Sequence, residues 1–172
     1  EFVITSPTPS SAKNWISQGL YAEHAVILAE LIVGGESKGP HLFWAPIAER
    51  KARGPGRPTP LPGVTVESLP EKTAMRGLDN AAITFTDFRI PRTALLNRFC
   101  RLDKSGAYAT ELPKGVPRML DLLLLRLLTG RIQLSEGTIA HALTRLRHSW
   151  AYCRERELWR GRKPEGKKMS EM

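Results

Sequence analysis

Residues 13–19 read K-N-W-I-S-Q-G, which places a tryptophan beside a small hydroxyl residue and then a glycine. Trp15 offers a large aromatic surface with one polar N–H, and Ser17 offers a hydroxyl that can donate or accept. Gly19 suits a turn because it tolerates backbone angles that other residues avoid. From the residues alone, the simpler interpretation is a buried tryptophan that closes a β-rich domain.

A second group with chemical potential lies at residues 152–159, Y-C-R-E-R-E-L-W. An arginine carries a planar fork of donors that matches phosphate and carboxylate groups. By its residue type alone, Arg156 is a surface residue at the end of a helix. That helix is predicted from about Val116 onward, where apolar residues begin to recur as on one face of an amphipathic helix. The clearest part of this apolar stripe is Ile139, Leu143, Leu146, Trp150 and Cys153.

These residues must be positioned by strands, and residues 77–98 give the strongest strand signal. Gly77 and Asn80 suit a turn at its start. Pro91 cannot donate to a ladder, so we expect the strand to stop there. Between the turn and the proline, alternating apolar residues predict one half-buried strand, less strictly toward its end. The apolar positions are Ile83, Phe85 and Phe88 to Ile90.

Other segments complete the predicted order of elements. Strands are predicted at residues 2–4 and 39–47, the latter entered through a Gly-Pro turn, and another strand begins at 62–66. Residues 22–33 could form a helix in isolation, since Ala, Leu and Glu are helix formers, but the glycines that bound them favour a strand. Residues 103–108 are interpreted as a linker before the helical part. Strands followed by a long helical pattern predict an α+β protein.

The charge of the chain is uneven, which bears on its partners. The net charge of the 172 residues is +9, and residues 111–172 hold 13 basic and 7 acidic residues. A basic half could bind nucleic acid or could meet the phosphates of a nucleotide cofactor. No nucleic-acid motif accompanies the charge, so a nucleic-acid-binding module is the weaker alternative. Its signature would be binding that falls steeply with salt.

Several function classes find no support in the residue pattern. Cys100 and Cys153 have neither a disulfide framework nor metal-ligand spacing and fit a reducing compartment. His24 and His41 are interpreted as structural, since no nucleophile or metal partner is spaced to use them. The longest apolar runs are too short or too charged to span a bilayer. Because the chain begins with Glu1 inside a predicted strand, we expect it to be a fragment.

The motif G-L-D-N at residues 77–80, followed by I-T-F, R-I-P-R and L-L-N, resembles the middle domain of the acyl-CoA oxidases. These are peroxisomal flavoproteins related to the acyl-CoA dehydrogenases. The segments G-P-H-L-F at 39–43, P-G-V-T-V at 62–66 and D-K-S-G-A-Y at 103–108 are also similar to that family. Each motif is short, and their order along the chain carries the resemblance.

The resemblance implies a fold and a function. It implies an antiparallel β-barrel-like middle domain at residues 1–110, followed by the start of an α-helical bundle at 111–172. It also implies an FAD-dependent oxidase in peroxisomal fatty acid β-oxidation, with a fatty acyl-CoA and oxygen as partners, and a homodimer. In that reaction a base removes the α-proton while the β-hydride moves to flavin N5. The products are a trans-2-enoyl thioester and, after oxygen takes the electrons, hydrogen peroxide.

The resemblance also implies cofactor-binding residues. In the superfamily, a K-x-W-I-(T/S)-N segment packs its tryptophan on the flavin ring, and its hydroxyl bonds near the reactive nitrogen. Trp15 and Ser17 match those positions, and Gly19 completes the segment. Arg156 matches an arginine that ends a bundle helix and meets the FAD pyrophosphate of the partner subunit. Trp159 stands where the family has phenylalanine.

Two departures from the family leave alternatives open. Oxidases commonly have glycine at the position of Ser17, so an acyl-CoA dehydrogenase is the near alternative. The catalytic glutamate of the family lies in later helices, and no residue here matches it, so the catalytic base is unknown. Glu155 and Glu157 lie in the helix assigned to the FAD phosphates and are not that base. A non-catalytic, truncated relative is the other alternative.

Overall fold

The computed structural model describes residues 1–50, 54, 56–160 and 163–168. The chain forms two compact units, Glu1–Leu120 and Asp121–Met172, and each is described by itself. The first unit is built from strands. They are β1 (Phe2–Ile4), β2 (Lys13–Ser17), β3 (His24–Val33), β4 (Glu36–Pro46), β5 (Ala48–Glu49), β6 (Thr59–Pro60), β7 (Val64–Ser68), β8 (Asn80–Phe85), β9 (Phe88–Ile90), β10 (Cys100–Leu102) and β11 (Tyr108–Thr110).

All strand pairs of the first unit are antiparallel. β2, β8 and β7 form a three-stranded sheet in that order, and the remaining pairs are β1 with β9, β3 with β4, β5 with β6 and β10 with β11. Across the described ranges these sheets do not join into a closed barrel. The α+β class is therefore confirmed as sheets followed by a C-terminal helix.

The longest hairpin, β3 with β4, confirms the strand predicted at residues 22–33 and corrects the entry to the next one. Gly34 and Gly35 make the turn, with φ of +60° and +82°, which residues with a Cβ rarely adopt. The Gly-Pro pair lies inside β4, where Pro40 faces Glu30. The ladder is irregular just beyond Glu30, and a proline without an N–H is tolerated in a ladder at such places.

The strand predicted through residues 80–90 is in fact two strands. β8 and β9 are separated by Thr86 and Asp87, and the φ of Asp87 is +48°. Each strand takes different partners, since β8 pairs with β2 and β7 whereas β9 pairs with β1. The break also explains the imperfect alternation. Burial follows Ala81, Ile83 and Phe85 and then shifts phase to Phe88 and Ile90.

The core of the first unit joins these small sheets. The β8 and β9 side chains pack with residues of β3 and β4, and aromatic pairs link them, such as Phe85 with Phe88 at 5.6 Å between ring centroids. The other buried apolar members are Ile4, Leu20, Ile27, Leu31, Phe43, Ala45, Ile47, Val64, Ala94, Leu95 and Cys100. One shared core therefore fixes β8, the strand whose first residues face the K-N-W-I-S segment.

The second unit contains the predicted helix, α1 (Met119–Glu155), followed by the paired strands β12 (Glu157–Arg160) and β13 (Lys163–Lys168). The stripe predicted from residue 139 is on α1 and is largely exposed, with Leu146 64% and Trp150 60% accessible. The helix ends at Glu155, so the expectation that Glu157 lies in the same helix was wrong. Among the described residues, no helix combines the length and the apolar character needed to cross a bilayer.

Candidate functional site

Trp15 lies at a bulge in β2. Lys13 pairs with Ile83 and Ile16 pairs with Ala81, so β2 holds one residue more than β8 over this span. The φ of Trp15 is +60°, a left-handed conformation that is uncommon for a bulky residue. A bulge re-aims a side chain away from its strand. The indole is 65% exposed, so the interpretation of a buried tryptophan was wrong.

The exposed indole lines a cleft with a volume of about 530 Å³. We call it the Trp15 cleft. Its other wall is the segment after β7, and its lining is mostly apolar on that side. The lining residues are Trp15, Leu69, Pro70, Glu71, Lys72, Thr73, Ala74, Met75, Leu78 and Asn80. A volume of this size lies within the range of about 300–1,000 Å³ that small-molecule sites occupy.

Asp79 holds the turn that follows β2. Its carboxylate accepts the N–H of Gln18 at 3.0 Å and the N–H of Leu20 at 3.1 Å. Gln18 adopts a left-handed conformation, with a φ of +60°. The backbone N–H groups on either side of Gly19 thus both point to the Asp79 carboxylate. Hydrogen bonds to a charged acceptor are among the stronger ones in proteins.

Asn80 and Lys72 connect this turn region to the other wall of the cleft. The Asn80 amide donates to the Trp15 carbonyl at 3.3 Å, and its carbonyl oxygen accepts from the Lys72 ammonium. Lys72 also donates to the Leu78 carbonyl. A half-buried lysine therefore joins both walls of the cleft through one asparagine.

Ser17 and Gly19 have different surroundings. Ser17 is exposed at the end of β2 opposite Asn80, and within the described ranges its hydroxyl has no hydrogen-bond partner. Gly19 is buried, and a Cβ there would come within 2.7 Å of the Ala81 Cβ and 3.1 Å of the Ile16 carbonyl oxygen. The structure thus brings Trp15 and Ser17 together on one strand, and Gly19 packs beneath the turn.

Arg156 and Trp159, the other expected cofactor-binding residues, belong to the second unit. Arg156 is exposed and directly follows α1, where its N–H still donates to the Tyr152 carbonyl at 2.8 Å. Trp159 lies in β12 rather than in a helix. Trp15, Ser17 and Gly19 belong to the first unit.

His41 belongs to a separate buried cluster. It is 1% exposed, with Nδ1 at 2.9 Å from the Gly39 carbonyl and Nε2 at 2.8 Å from the Tyr108 hydroxyl. Because a carbonyl only accepts, these contacts assign the proton to Nδ1 and make Nε2 the acceptor for Tyr108. Burial raises the pKa of Tyr108, and the nearby Cys100 raises it further at alkaline pH, when its thiol is ionised. The cluster attaches the β10–β11 hairpin to β4.

The predicted linker at residues 103–108 is the turn of that hairpin. The Asp103 carboxylate accepts from the Ser105 hydroxyl at 2.6 Å, the Ser105 N–H at 2.8 Å and the Ala107 N–H at 2.9 Å. These bonds, led by the one from the Ser105 hydroxyl, lower the pKa of Asp103. Burial raises the pKa of the Cys100 thiol, which keeps it protonated and unreactive. In the described part of the chain, no three His, Cys, Asp or Glu side chains form a group that could hold a metal ion.

Sequence reasoning noticed Trp15 and Ser17 but assigned no role to Lys72, Asp79 or Tyr108. The G-L-D-N motif contained the signal for Asp79, because aspartate commonly binds backbone N–H groups in turns. The signal did not say which turn, since the bonded residues lie about 60 positions away in the sequence. The long range of these contacts is what the sequence alone could not supply.

Among proteins of known name, this chain is similar to acyl-coenzyme A oxidases. The chain is 32% identical over 146 residues to a peroxisomal acyl-coenzyme A oxidase 2 of Arabidopsis thaliana, covering 81% of this chain and 20% of the relative. It is 38% identical over 109 residues to the peroxisomal acyl-coenzyme A oxidase 2 of Oryctolagus cuniculus, covering 63% of this chain and 15% of the relative. No protein-family model matches.

A solved structure shares the fold. Acyl-CoA oxidase-2 of Caenorhabditis elegans, bound with FAD, ascaroside-CoA and ATP, superimposes with a TM-score of 0.60 and 31% sequence identity. The match covers 66% of this chain and 17% of that structure. The chain therefore spans about a fifth or less of the length of the curated relatives it matches.

Proposed function

We propose, from its similarity to the acyl-CoA oxidases as a partial member of that family, that this chain is part of an FAD-dependent acyl-CoA oxidase. The similarity to named oxidases covers 63% to 81% of the chain. The observation that carries the proposal is the exposed Trp15 indole on a preformed cleft, at the position that the family resemblance assigns to the flavin. The proposed partners are a fatty acyl-CoA and oxygen.

Trp15, which lines the cleft, and Ser17, which is exposed on the same strand outside its lining, fit a flavin. An isoalloxazine ring needs a flat apolar surface to pack on and hydrogen-bonding groups at its edge. The exposed indole supplies the surface, and the uncommitted Ser17 hydroxyl on the same strand supplies a donor. FAD held there would supply the acceptor for the β-hydride of the acyl thioester and the route by which the electrons reach oxygen as hydrogen peroxide.

Five residues are proposed for the FAD sites, four through their side chains and Gly19 through the turn that it forms. Trp15 packs against the ring, and Ser17 donates near the reactive nitrogen. Gly19 acts as the buried turn residue that lets the Ser17 backbone approach β8. Arg156 presents a planar guanidinium suited to a pyrophosphate, and Trp159 follows it in place of the family phenylalanine. The catalytic base is not assigned to any residue of this chain.

The domain organisation is proposed on the same basis. Residues 1–110 are assigned to a barrel-like middle β-domain, and residues 111–172 to the start of a helical bundle. The apolar stripe on α1 supports the second assignment, because a bundle helix needs one apolar face to bury against neighbouring helices. A homodimer and a peroxisomal location are proposed from the family, since matched relatives are named peroxisomal.

Ser17 favours one alternative function, an acyl-CoA dehydrogenase. The hydroxyl residue belongs to the dehydrogenase form of the segment, whereas oxidases commonly carry glycine there. The two functions share the flavin and the dehydrogenation step and differ in whether oxygen reoxidises the flavin.

A visible absorbance spectrum tests the proposal. The protein isolated from its source is recorded before and after addition of a fatty acyl-CoA in air. For an oxidase, we expect a flavin band that bleaches and then recovers as peroxide appears. A band that stays bleached would establish the dehydrogenase alternative, and a protein without a flavin band would be a non-catalytic relative.

A further inference from the structure

The Asp79-Asn80 pair of the G-L-D-N motif has no role in the function proposed above. Both residues lie at the start of β8, and both side chains bind the segment from Trp15 to Leu20. Asp79 binds the turn after β2, and the Asn80 amide binds the bulge at Trp15. Asp79, directly before β8, and Asn80, its first residue, therefore hold the same segment at two different points.

The bulge makes a side-chain contact necessary. Regular pairing between β2 and β8 includes Lys13, Ile16 and Ser17, but the extra residue interrupts the ladder around Trp15. Strand pairing by itself therefore does not fix the Trp15 backbone. The Asn80 amide restores a bond at this gap by donating to the Trp15 carbonyl at 3.3 Å. The indole direction depends on that backbone, since φ of +60° is held against a steric preference.

The other end of the segment is fixed by the Asp79 carboxylate. It accepts from Gln18 and from Leu20, at 3.0 Å and 3.1 Å, which are the residues directly after Ser17 and directly after Gly19. Gln18 is the second left-handed residue of the segment. The two hydrogen bonds of Asp79 therefore define the turn from which the Ser17 hydroxyl is presented.

Lys72 extends the arrangement to the opposite wall of the Trp15 cleft. Its ammonium binds the Asn80 side-chain oxygen and the Leu78 carbonyl. This keeps the Asn80 oxygen engaged, which leaves the amide N–H₂ facing Trp15. Lys72 therefore fixes the orientation of the asparagine as well as the position of the wall.

We infer that Asp79 and Asn80, with Lys72 behind them, are positioning residues that aim Trp15 and Ser17 at the flavin. This inference rests on the proposed function, because it assumes that the two side chains contact FAD. Asp79 lies outside the lining of the Trp15 cleft, whereas Lys72 and Asn80 line it beside Trp15, so Asp79 is the residue that acts only through the segment it holds.

Two variants and one control test the inference. Asn80→Asp keeps an oxygen for Lys72 but replaces the donor to Trp15 with an acceptor. Asp79→Asn leaves one oxygen for two N–H groups. Asn14→Asp is the control, because it makes the same charge change as Asn80→Asp on the exposed neighbour of Trp15. All three substitutions are introduced into the complete protein. Each variant is studied with its flavin bound and again after the flavin has been removed.

Hydrogen exchange of the flavin-free protein measures the positioning directly. We expect exchange in the peptide covering residues 15–22 to become about tenfold faster or more in Asp79→Asn, and to stay at the parent rate in Asn14→Asp. Unchanged exchange in Asp79→Asn would overturn the inference, whatever the flavin does.

Flavin binding then separates positioning from plain stability. We expect the FAD dissociation constant to rise about tenfold and the visible flavin band to shift in both variants, with neither change in the control. Faster exchange with an unaltered band and affinity would mean that the contacts only stabilise the fold, and would overturn the inference. A parent protein that binds no FAD overturns the proposed function and the flavin part of this inference, while exchange still decides whether Asp79 holds the turn.

Discussion

At the scale of single residues, His41 is the one buried polar side chain among the described residues of the first unit, and it is paired with Tyr108. His41 and Tyr108 are 67 positions apart in the sequence and share a 2.8 Å hydrogen bond. The imidazole uses both nitrogens, one on the Gly39 carbonyl and one on the phenol. A buried polar atom that loses its partner costs more than the bond contributed when made. We therefore expect loss of this contact to be costly.

Replacement of Tyr108 by Phe removes the donor and leaves His41 Nε2 buried without a partner. We expect the free energy of unfolding to fall by about 1–3 kcal/mol. Denaturant unfolding followed by circular dichroism measures it. Tyr21→Phe is the control, because Tyr21 is 46% exposed and its loss of a hydroxyl should cost almost nothing. Equal effects of the two substitutions would show that the hydrogen bond contributes no stability.

The Tyr108 phenol also makes the stability of the fold depend on pH in the alkaline range. Burial raises the pKa of Tyr108 above its ordinary value of 10.0 in the folded protein, so the folded state holds the proton more tightly than the unfolded state. Stability from this group is therefore full below pH 10.0 and is lost as pH rises through the folded pKa. Unfolding midpoints measured from pH 8 to 12 should fall more steeply for the parent than for Tyr108→Phe. Parallel curves would contradict the assignment.

At the scale of elements, tight turns decide which strands can pair. Gly63 precedes β7 with a φ of +84°, and a Cβ there would lie 2.6 Å from the Thr86 carbonyl oxygen. Gly35, in the β3–β4 turn, has nearly the same φ of +82° but open space around it. The two glycines separate backbone strain from steric overlap.

Gly35→Ala should cost about 1–2 kcal/mol of unfolding free energy, which is the strain of a left-handed residue with a Cβ. Gly63→Ala should cost clearly more, because the added Cβ also displaces the chain between β8 and β9. Both values come from denaturant unfolding of the same preparation. Equal losses would mean that the Thr86 backbone moves aside without cost.

The elements also show how far the sequence could predict this fold. Local sequence signals located β1, β7, β8 and α1, whereas the residues of β3 taken alone were also compatible with a helix. The break between β8 and β9 was missed, because Asp87 adopts its left-handed turn with Thr5 as a partner, and Thr5 lies 82 positions away. The bulge that exposes Trp15 was missed for the same reason. It is a property of the pairing with β8, and the tryptophan alone is equally compatible with a buried position.

At the scale of the whole molecule, charge and similarity point to one cofactor. Residues 111–172 hold 13 of the 26 basic residues of the chain. A nucleic-acid-binding module would use this charge through many interchangeable contacts. A cofactor site would instead depend on one arginine with defined geometry. The resemblance assigns that role to Arg156, and a comparison with a neighbouring arginine distinguishes the two uses of charge.

Arg156→Ala should reduce FAD affinity by about 10- to 100-fold, which corresponds to the loss of one charge-assisted contact to a pyrophosphate. Arg154→Ala is the matched control, because Arg154 is also exposed and lies in the last turn of α1. The flavin-to-protein absorbance ratio after gel filtration measures retention. Similar losses in both variants would indicate a general effect of positive charge, and full retention in Arg156→Ala would exclude the assignment.

If Arg156 reaches the FAD of a partner subunit, dilution of the parent below its dimer dissociation constant should release flavin as well. In Arg156→Ala, retention should then depend much less on protein concentration, because the contact between subunits is already lost.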